Sequence, residues 1–179
     1  IGGDVLVNGN VQAIGKDAIG LSLEDTVGGR LVIDHAVIAT GYRSTTRPAD
    51  TSKLDADDLL QGGSAVRIQG DIKGGVLIDA PPADLDPKDA DEDKDGVPDA
   101  QETTGTLTVY GAAPALSVGS ASRTVRLGAG AAGFGLDIRG VVQAQGVYDG
   151  VTATGVQLGG QGQAVILDGG LRVSGQVIA

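Results

Sequence analysis

Short runs of alternating apolar and polar residues recur along the chain, and glycine or a small polar residue separates each run from the next. The clearest runs lie at 6–15, 31–41, 66–75, 107–111 and 136–146, and a looser copy begins at Val165 or Leu171. A period of two places every second side chain on one face and predicts short β-strands. Helical spacing is absent, and frequent glycines would each destabilise a helix by about 1 kcal/mol.

The runs behave as copies of one structural unit. Residues 7–13 read Val-Asn-Gly-Asn-Val-Gln-Ala, and residues 138–144 read Ile-Arg-Gly-Val-Val-Gln-Ala. Successive copies begin 25, 35, 41 and 29 residues apart, and removing two insertions leaves a unit of about 20–30 residues, the size of one solenoid coil. The pattern predicts an all-β chain folded as a right-handed parallel β-helix (β-solenoid) of six coils, with glycine supplying special backbone angles at the corners. A sandwich or barrel would instead use longer strands joined by Asn-Gly or Asp-Gly turns.

We therefore interpret residues 1–179 as a single β-solenoid segment with insertions at 42–61 and 80–105. The first insertion opens as a loop, and residues 52–61 predict a short helix capped by Thr51 or Ser52. We expect this insertion to be a surface excursion whose leucines pack on the rod. Neither end of the sequence carries the polar cap that keeps a solenoid soluble, so we expect the parent chain to continue in both directions.

The second insertion carries the most specific motif in the sequence. Residues 91–102 read Asp-Glu-Asp-Lys-Asp-Gly-Val-Pro-Asp-Ala-Gln-Glu, with acidic residues at positions 1, 3, 5, 9 and 12 and glycine at position 6 of a calcium loop. This spacing lets alternate carboxylates converge on one hard cation, and Gly96 permits the sharp turn. The predicted Ca²⁺ ligands are the side chains of Asp91, Asp93, Asp95, Asp99 and Glu102 and the backbone carbonyl of Val97.

The flanking residues do not fit a complete EF-hand. Pro82 and Pro87 argue against an entering helix, and Pro98 removes a backbone donor. The loop resembles more closely the Asp-rich calcium loops of thrombospondin type 3 repeats and similar bacterial linkers. Two alternatives stay open: a solvated acidic loop without a specific ion, and a second or enlarged site that also uses Asp84, Asp86 and Asp89.

Composition narrows the possible functions. The chain has 31 glycines, three tyrosines, one phenylalanine and no Trp, Met or Cys, so its core must be built from aliphatic side chains. The absence of Cys excludes disulfides and thiolate metal sites. The net charge of −10 disfavours nucleic acid and anionic lipid as partners. Residues 79–105 carry −8 of this charge, and no apolar run is long enough for direct insertion into a membrane.

The sequence contains no catalytic motif. His35 is the only histidine and lies in an alternating run, which predicts an outward-facing or corner imidazole. Single aspartates could stack across coils into the carboxylate pairs of a polysaccharide-acting enzyme; they are Asp4, Asp34, Asp71, Asp137, Asp149 and Asp168. The scarcity of aromatic residues argues against a sugar-binding groove, so we predict that the chain is not an enzyme.

The strands with glycine corners, the lack of Cys and the runs at 42–50, 54–63 and 146–156 resemble the passenger domains of Gram-negative autotransporters, in particular large alphaproteobacterial surface proteins. The C-terminal barrel and signal sequence of that family are not part of these 179 residues. The resemblance implies an extracellular rod, attached to the outer membrane, that acts as a structural or adhesive scaffold. Its partner would be a surface glycan or protein receptor, or further copies in a fibre. The alternative function is a polysaccharide-acting β-helix enzyme or a tailspike-like glycan binder.

Overall fold

The computed structural model describes residues 1–42, 45–46, 48–81, 86, 88–90, 98–101 and 103–179. In these residues the chain forms β-strands and two 3₁₀ turns, at Thr51–Lys53 and Asp99–Gln101, and no α-helix. In chain order the strands are β1 (Val5–Val7), β2 (Val11–Ile14), β3 (Leu21–Leu23), β4 (Leu31–Ile33), β5 (Ala36–Thr40), β6 (Val66–Ile68), β7 (Val76–Ile78), β8 (Thr106–Tyr110), β9 (Leu116–Val118), β10 (Val125–Leu127), β11 (Leu136–Ile138), β12 (Val141–Gln145), β13 (Val156–Leu158), β14 (Val165–Leu167), β15 (Leu171–Val173) and β16 (Gln176–Ile178).

The strands form four sheets in which every pairing is parallel. Sheet A has the order β1-β4-β7-β11-β15, sheet B the order β2-β5-β8-β12-β16, sheet C the order β3-β6-β9-β13, and sheet D pairs β10 with β14. Parallel bridges join Val27 to Ile72 and Ile72 to Leu127, which extends sheet D to the earlier segments. The chain thus passes through sheets A, B, C and D in the same order four times and then enters A and B again. The predicted all-β fold of stacked parallel strands is confirmed.

One circuit of the chain through sheets A, B, C and D is called a pass. The six copies of the sequence unit do not correspond to six passes. Copies 6–15, 31–41 and 136–146 each supply a sheet A strand and a sheet B strand, whereas copy 66–75 lies in sheets C and D and copy 107–111 lies in sheet B. All sides of the structure share the same alternation and glycine corners. The sequence pattern therefore identifies strands but not the side on which each strand lies.

The core consists of aliphatic side chains stacked in columns. The register of sheet A places Ile33, Ile78 and Ile138 directly above one another, and all three are fully buried. Equivalent columns from the other sheets complete one continuous cluster of Val, Ile, Leu and Ala. Each buried isoleucine contributes about 1.5–3 kcal/mol relative to an exposed one, so the fold needs no aromatic core.

The corner between sheets A and B explains part of the glycine content. A Cβ on Gly140 would overlap the Gly105 carbonyl oxygen, and a Cβ on Gly175 would overlap the Gly140 carbonyl oxygen. None of these glycines has a positive φ, which occurs instead at other corners such as Gly111, where φ is 145°. The expectation of special backbone angles is therefore wrong at the A–B corner, where close approach of stacked backbones is the constraint.

The first insertion does not form the predicted short helix. Its regular structure is the 3₁₀ turn Thr51–Lys53, which is capped by Asp50. The Asp50 carboxylate accepts hydrogen bonds from the backbone N–H of Ser52 at 3.1 Å and from its hydroxyl at 2.6 Å. Asp55 and Asp58 then accept from each other's backbone N–H groups. Such side-chain bonds compete with helical pairing, so the helix is not formed.

Replacement of Gly140 by alanine tests the close approach at the A–B corner. We expect Gly140→Ala to lower the free energy of unfolding by about 1–3 kcal/mol, because the added methyl group must displace the Gly105 backbone. Gly9 occupies the same corner in the first pass and has no atom within 4 Å of its Cβ position. Gly9→Ala is the matched control and should be neutral or slightly stabilising. Equal losses of stability in urea unfolding would contradict the explanation.

Candidate functional site

Most of the predicted calcium ligands lie outside the described residues. This group comprises Asp91, Asp93, Asp95, Val97 and Glu102, together with Asp84 of the possible second site. The backbone of Asp99 begins the 3₁₀ turn Asp99–Gln101, but its side chain is also outside the description. Within the part of the chain that is described, no three His, Asp or Glu side chains are grouped so that they could hold a metal ion. The calcium site therefore stays a prediction.

Two of the additional aspartates are described and form a tight turn. The Asp86 carbonyl accepts a hydrogen bond from the Asp89 N–H at 2.8 Å, and the Asp86 carboxylate accepts one from the Lys88 N–H at 3.1 Å. All three residues are exposed.

The body of the protein closes beneath the second insertion. The Asp79 carbonyl accepts a hydrogen bond from the Gly105 N–H at 2.8 Å, and the His35 carbonyl accepts one from the Thr106 N–H at 3.2 Å. Asp79 and Gly105 thus occupy the two corner positions that Arg139 and Gly140 fill in the next pass. Asp79 and Gly105 thus form one narrow neck at the base of the second insertion, and the pairing of the stacked sheets continues across it.

A column of polar and charged side chains follows this corner from pass to pass. Asp34 and Asp79 are 6% and 5% exposed. The Asp34 carboxylate lies 3.0 Å from Nδ1 of His35, and the Asp79 carboxylate accepts a hydrogen bond from Arg139 at 3.2 Å. His35 lies at a corner, as predicted. Two carboxylates in neighbouring passes are thus each directed toward a different polar partner.

Asp137 connects this column to the outer side of sheet A. The β11–β15 register places Arg172 beside Asp137, and Arg172 donates two hydrogen bonds to its carboxylate at 2.8 and 2.5 Å. Arg139 donates a third at 3.1 Å. Burial alone raises the pKa of Asp137, but the hydrogen bond from Arg172 and the charges of Arg139 and Arg172 outweigh it, so the pKa lies below its ordinary value. An ionised carboxylate with three donors is poorly suited to act as a general acid.

The cavity beside Asp137 is small. Its volume is about 50 Å³, and it lies between residues 130–132 and Phe134 on one side and Arg30, Asp137 and Arg139 on the other. The Arg172 guanidinium lies 4.9 Å from the centroid of the Phe134 ring, a cation–π distance. The cavity has room for a few water molecules but not for a polysaccharide. The arrangement therefore suits a clamp that stabilises the stack.

A second charged network joins four successive passes near sheet D. Arg123 donates to Asp25 and to Asp71, both at 3.1 Å. Arg126 donates two hydrogen bonds to Asp168, at 2.8 and 2.7 Å, and its backbone N–H bonds to Asp71 at 2.8 Å. Aspartates that are isolated in the sequence are thus brought together in space, but each is neutralised by arginine.

All three tyrosines of the chain lie at the corner between sheets B and C, where the first insertion leaves the body. Tyr110 ends β8, and Tyr42 follows β5 and is 58% exposed. Tyr148 donates its hydroxyl hydrogen to the Asp58 carbonyl at 2.9 Å, which ties the first insertion to the loop after β12. An open groove of about 290 Å³ lies beside this corner, between Lys16 and Leu59.

Sequence reasoning did not identify the arginine partners of the aspartates. Asp137 and Arg172 are 35 residues apart, which is the spacing between the first residues of β11 and β15. Once the passes are correctly aligned, this spacing predicts that the two side chains are neighbours. The signal was therefore present, but it could be used only after each strand had been assigned to its side.

No protein-family model matches this chain, and no curated protein or solved structure shows significant similarity to it. The described residues contain no helix with the length and apolar character needed to cross a membrane. The resemblance to autotransporter passenger domains therefore stays a prediction.

Replacement of Asp137 tests the clamp on sheet A. Because its pKa is lowered in the folded state, the ionised carboxylate stabilises the protein above the ordinary aspartate pKa of about 3.9, and this stabilisation is lost as the pH falls through the lower folded value. Asp137→Asn should lower the free energy of unfolding at pH 7 by about 2–4 kcal/mol, since Arg172 loses its charged partner and Arg139 keeps only Asp79. It should also make stability less dependent on pH below about 4.

The control for Asp137→Asn is Asp4→Asn, which removes an exposed partner of Arg30. Exposed ion pairs contribute little to stability, so this variant should unfold close to the wild type. Urea unfolding at several pH values measures both effects. An Asp137→Asn variant with the wild-type pH profile would show that Asp137 is not a stabilising charge.

Proposed function

We propose that the chain is a structural or adhesive scaffold, a right-handed β-solenoid displayed on the surface of a Gram-negative cell. One observation carries this proposal. The chain visits sheets A, B, C and D in the same order four times, and its parallel strands share one aliphatic core. Such a body grows by adding passes and holds other segments at fixed positions along its length. The right-handed winding of the solenoid is inferred from the strong preference of crossover connections between parallel strands for that handedness.

The two insertions are proposed to carry the specific functions of the scaffold. The neck between Asp79 and Gly105 leaves the body intact, so the acidic insertion is free to specialise. Ca²⁺ bound by the loop at 91–102 would neutralise carboxylates that otherwise repel one another. Its role in the scaffold would be to fix the shape of the insertion.

Addition of Ca²⁺ is expected to raise the melting temperature, because a ligand that binds only the folded loop stabilises it by mass action. The double substitution Asp93→Ala and Asp95→Ala should abolish this rise. Asp149→Ala removes a carboxylate from a different loop and should retain it. A calcium-dependent rise that persists in the double variant would exclude this ligand set, and no rise in the wild type would favour a solvated acidic loop.

Surface display is supported by the absence of Cys, which suits export through an oxidising compartment, and by the resemblance to autotransporter passengers. An antibody raised against the 179-residue chain should label intact, unpermeabilised cells of the source bacterium. Labelling that appears only after lysis would contradict the proposed location. A control antibody against a cytoplasmic protein reports on leakage.

The polysaccharide-acting enzyme is the weaker alternative. Among the described residues, the carboxylates of Asp137 and Asp71 lie in networks that bond them to arginine. The cavity beside Asp137, of about 50 Å³, could not enclose a sugar residue. Glycan binding without catalysis is better supported, and the surface that supports it is the outer face of sheet B.

A further inference from the structure

The outer face of sheet B differs in chemistry from the outer faces of the other sheets. Charged residues occupy outward positions in sheets A, C and D, for example Asp137, Arg67 and Arg126. In sheet B the outward positions are all uncharged; they are Gln12, Ile14, Ala36, Ile38, Thr40, Thr106, Thr108, Tyr110, Val141, Gln143, Gln145, Gln176 and Ile178. This is unexpected in a chain whose residues are 20% charged.

The face has a regular geometry. Neighbouring strands lie about 4.8 Å apart and alternate outward residues about 7 Å apart, so the five strands of sheet B present a lattice of about 19 by 13 Å. Thr108 and Gln143 occupy adjacent positions in its central column, next to Ile38. Amide, hydroxyl and methyl groups are thus interspersed over a surface whose positions are regularly spaced.

The polar groups of this face are available to a ligand. Within the described residues, the side chains of Gln12, Thr108, Gln143 and Gln145 make no hydrogen bond to another protein group. Gln12 is exposed and Gln143 and Gln145 are half-buried, and a side-chain amide with two donors and an accepting oxygen can bond to neighbouring hydroxyls of a ligand. Thr40 differs because it is 5% exposed and does not contribute to the open surface.

Both insertions border this face. The neck at Asp79 and Gly105 lies at its edge toward sheet A, and the first insertion leaves just after β5 at its edge toward sheet C. Tyr42 and Tyr110 lie at this second edge. Tyrosine combines an apolar ring with a polar hydroxyl, a combination suited to partners that are themselves part apolar and part polar.

We propose that the outer face of sheet B binds an uncharged polysaccharide. A repeating polymer with hydroxyl groups and apolar C–H faces matches a regularly spaced lattice of amides, hydroxyls, methyls and edge tyrosines, and this open sheet face is a different kind of site from the aromatic-lined groove that the composition disfavours. A polyanion is disfavoured by the net charge of −10. A protein partner is disfavoured because the face lacks the arginines and deep aromatic anchors that dominate protein interfaces. The inference deepens the proposed scaffold function by naming its receptor class.

The test uses the full chain and immobilised polysaccharides of defined charge. Cellulose, curdlan, mannan and amylose are the uncharged probes, and alginate is the acidic control. We expect binding to at least one uncharged polymer and less than about a twofold change in affinity between 50 and 500 mM NaCl, because no ion pairs are formed. Binding to none of the uncharged polymers, or to alginate alone, would overturn the proposal.

A matched pair of substitutions locates the site. Gln143→Glu adds one carboxylate to the centre of sheet B, and Gln157→Glu makes the same change at an outward position of sheet C. Gln143→Glu should weaken binding about tenfold or more, because a charge is placed opposite an uncharged partner. Gln157→Glu should change it less than twofold. Equal effects would place the site elsewhere.

Sedimentation and thermal melting complete the test. Both variants should melt as the wild type does, since each change is on the surface. If the wild type self-associates and Gln143→Glu dissociates it, the face is an interface between copies and the proposal is wrong. Failure of glycan binding with positive labelling of intact cells would overturn this inference while leaving the scaffold proposal in place.

Discussion

Parallel hydrogen bonding between successive passes holds neighbouring strands at about 4.8 Å, and the side chains and corners must fit that spacing. Identical or similar aliphatic residues satisfy it inside, as the column of Ile33, Ile78 and Ile138 shows. At the A–B corner the same spacing brings the backbones of Gly105 and Gly140 so close that no side chain fits. The same spacing thus favours small aliphatic residues in the core and accounts for the glycines of the A–B corner.

The spacing also governs the charged residues. Carboxylates repeated at one position would lie a few ångströms apart and repel strongly in a partly buried setting. Asp34 and Asp79 do repeat at one corner position, and each is directed toward a different partner, His35 and Arg139. Elsewhere arginine lies beside aspartate in the neighbouring pass, as in Asp137 with Arg172 and Asp168 with Arg126. These pairs lock the register of the outer surface, because a slip by one residue would separate them and expose the inner column.

The sequence alone was sufficient for the strands but not for their arrangement. Alternation and glycine corners are local signals, so the short parallel strands could be predicted. The side occupied by each strand depends on pairing between distant residues, and copies such as 66–75 and 31–41 look alike although they lie in different sheets. The helix predicted at 52–61 failed because Asp50, Asp55 and Asp58 bond to nearby backbone groups. The ion pairs and the uncharged face emerged only once the register was known.

The neck formed by Asp79 and Gly105 has a consequence for how this protein can change over generations. Its hydrogen bonds are those of an uninterrupted corner, and among the described residues of the insertion Thr103 donates a hydrogen bond to the Asp34 carbonyl of the frame. The free-energy cost of closing a loop is entropic, and it rises by only about 0.6 kcal/mol for each doubling of the loop's length. Segments of different length and chemistry that keep the contact of Thr103 with Asp34 could therefore be exchanged at this position by natural recombination or by engineering, while the stacked strands keep their pairing.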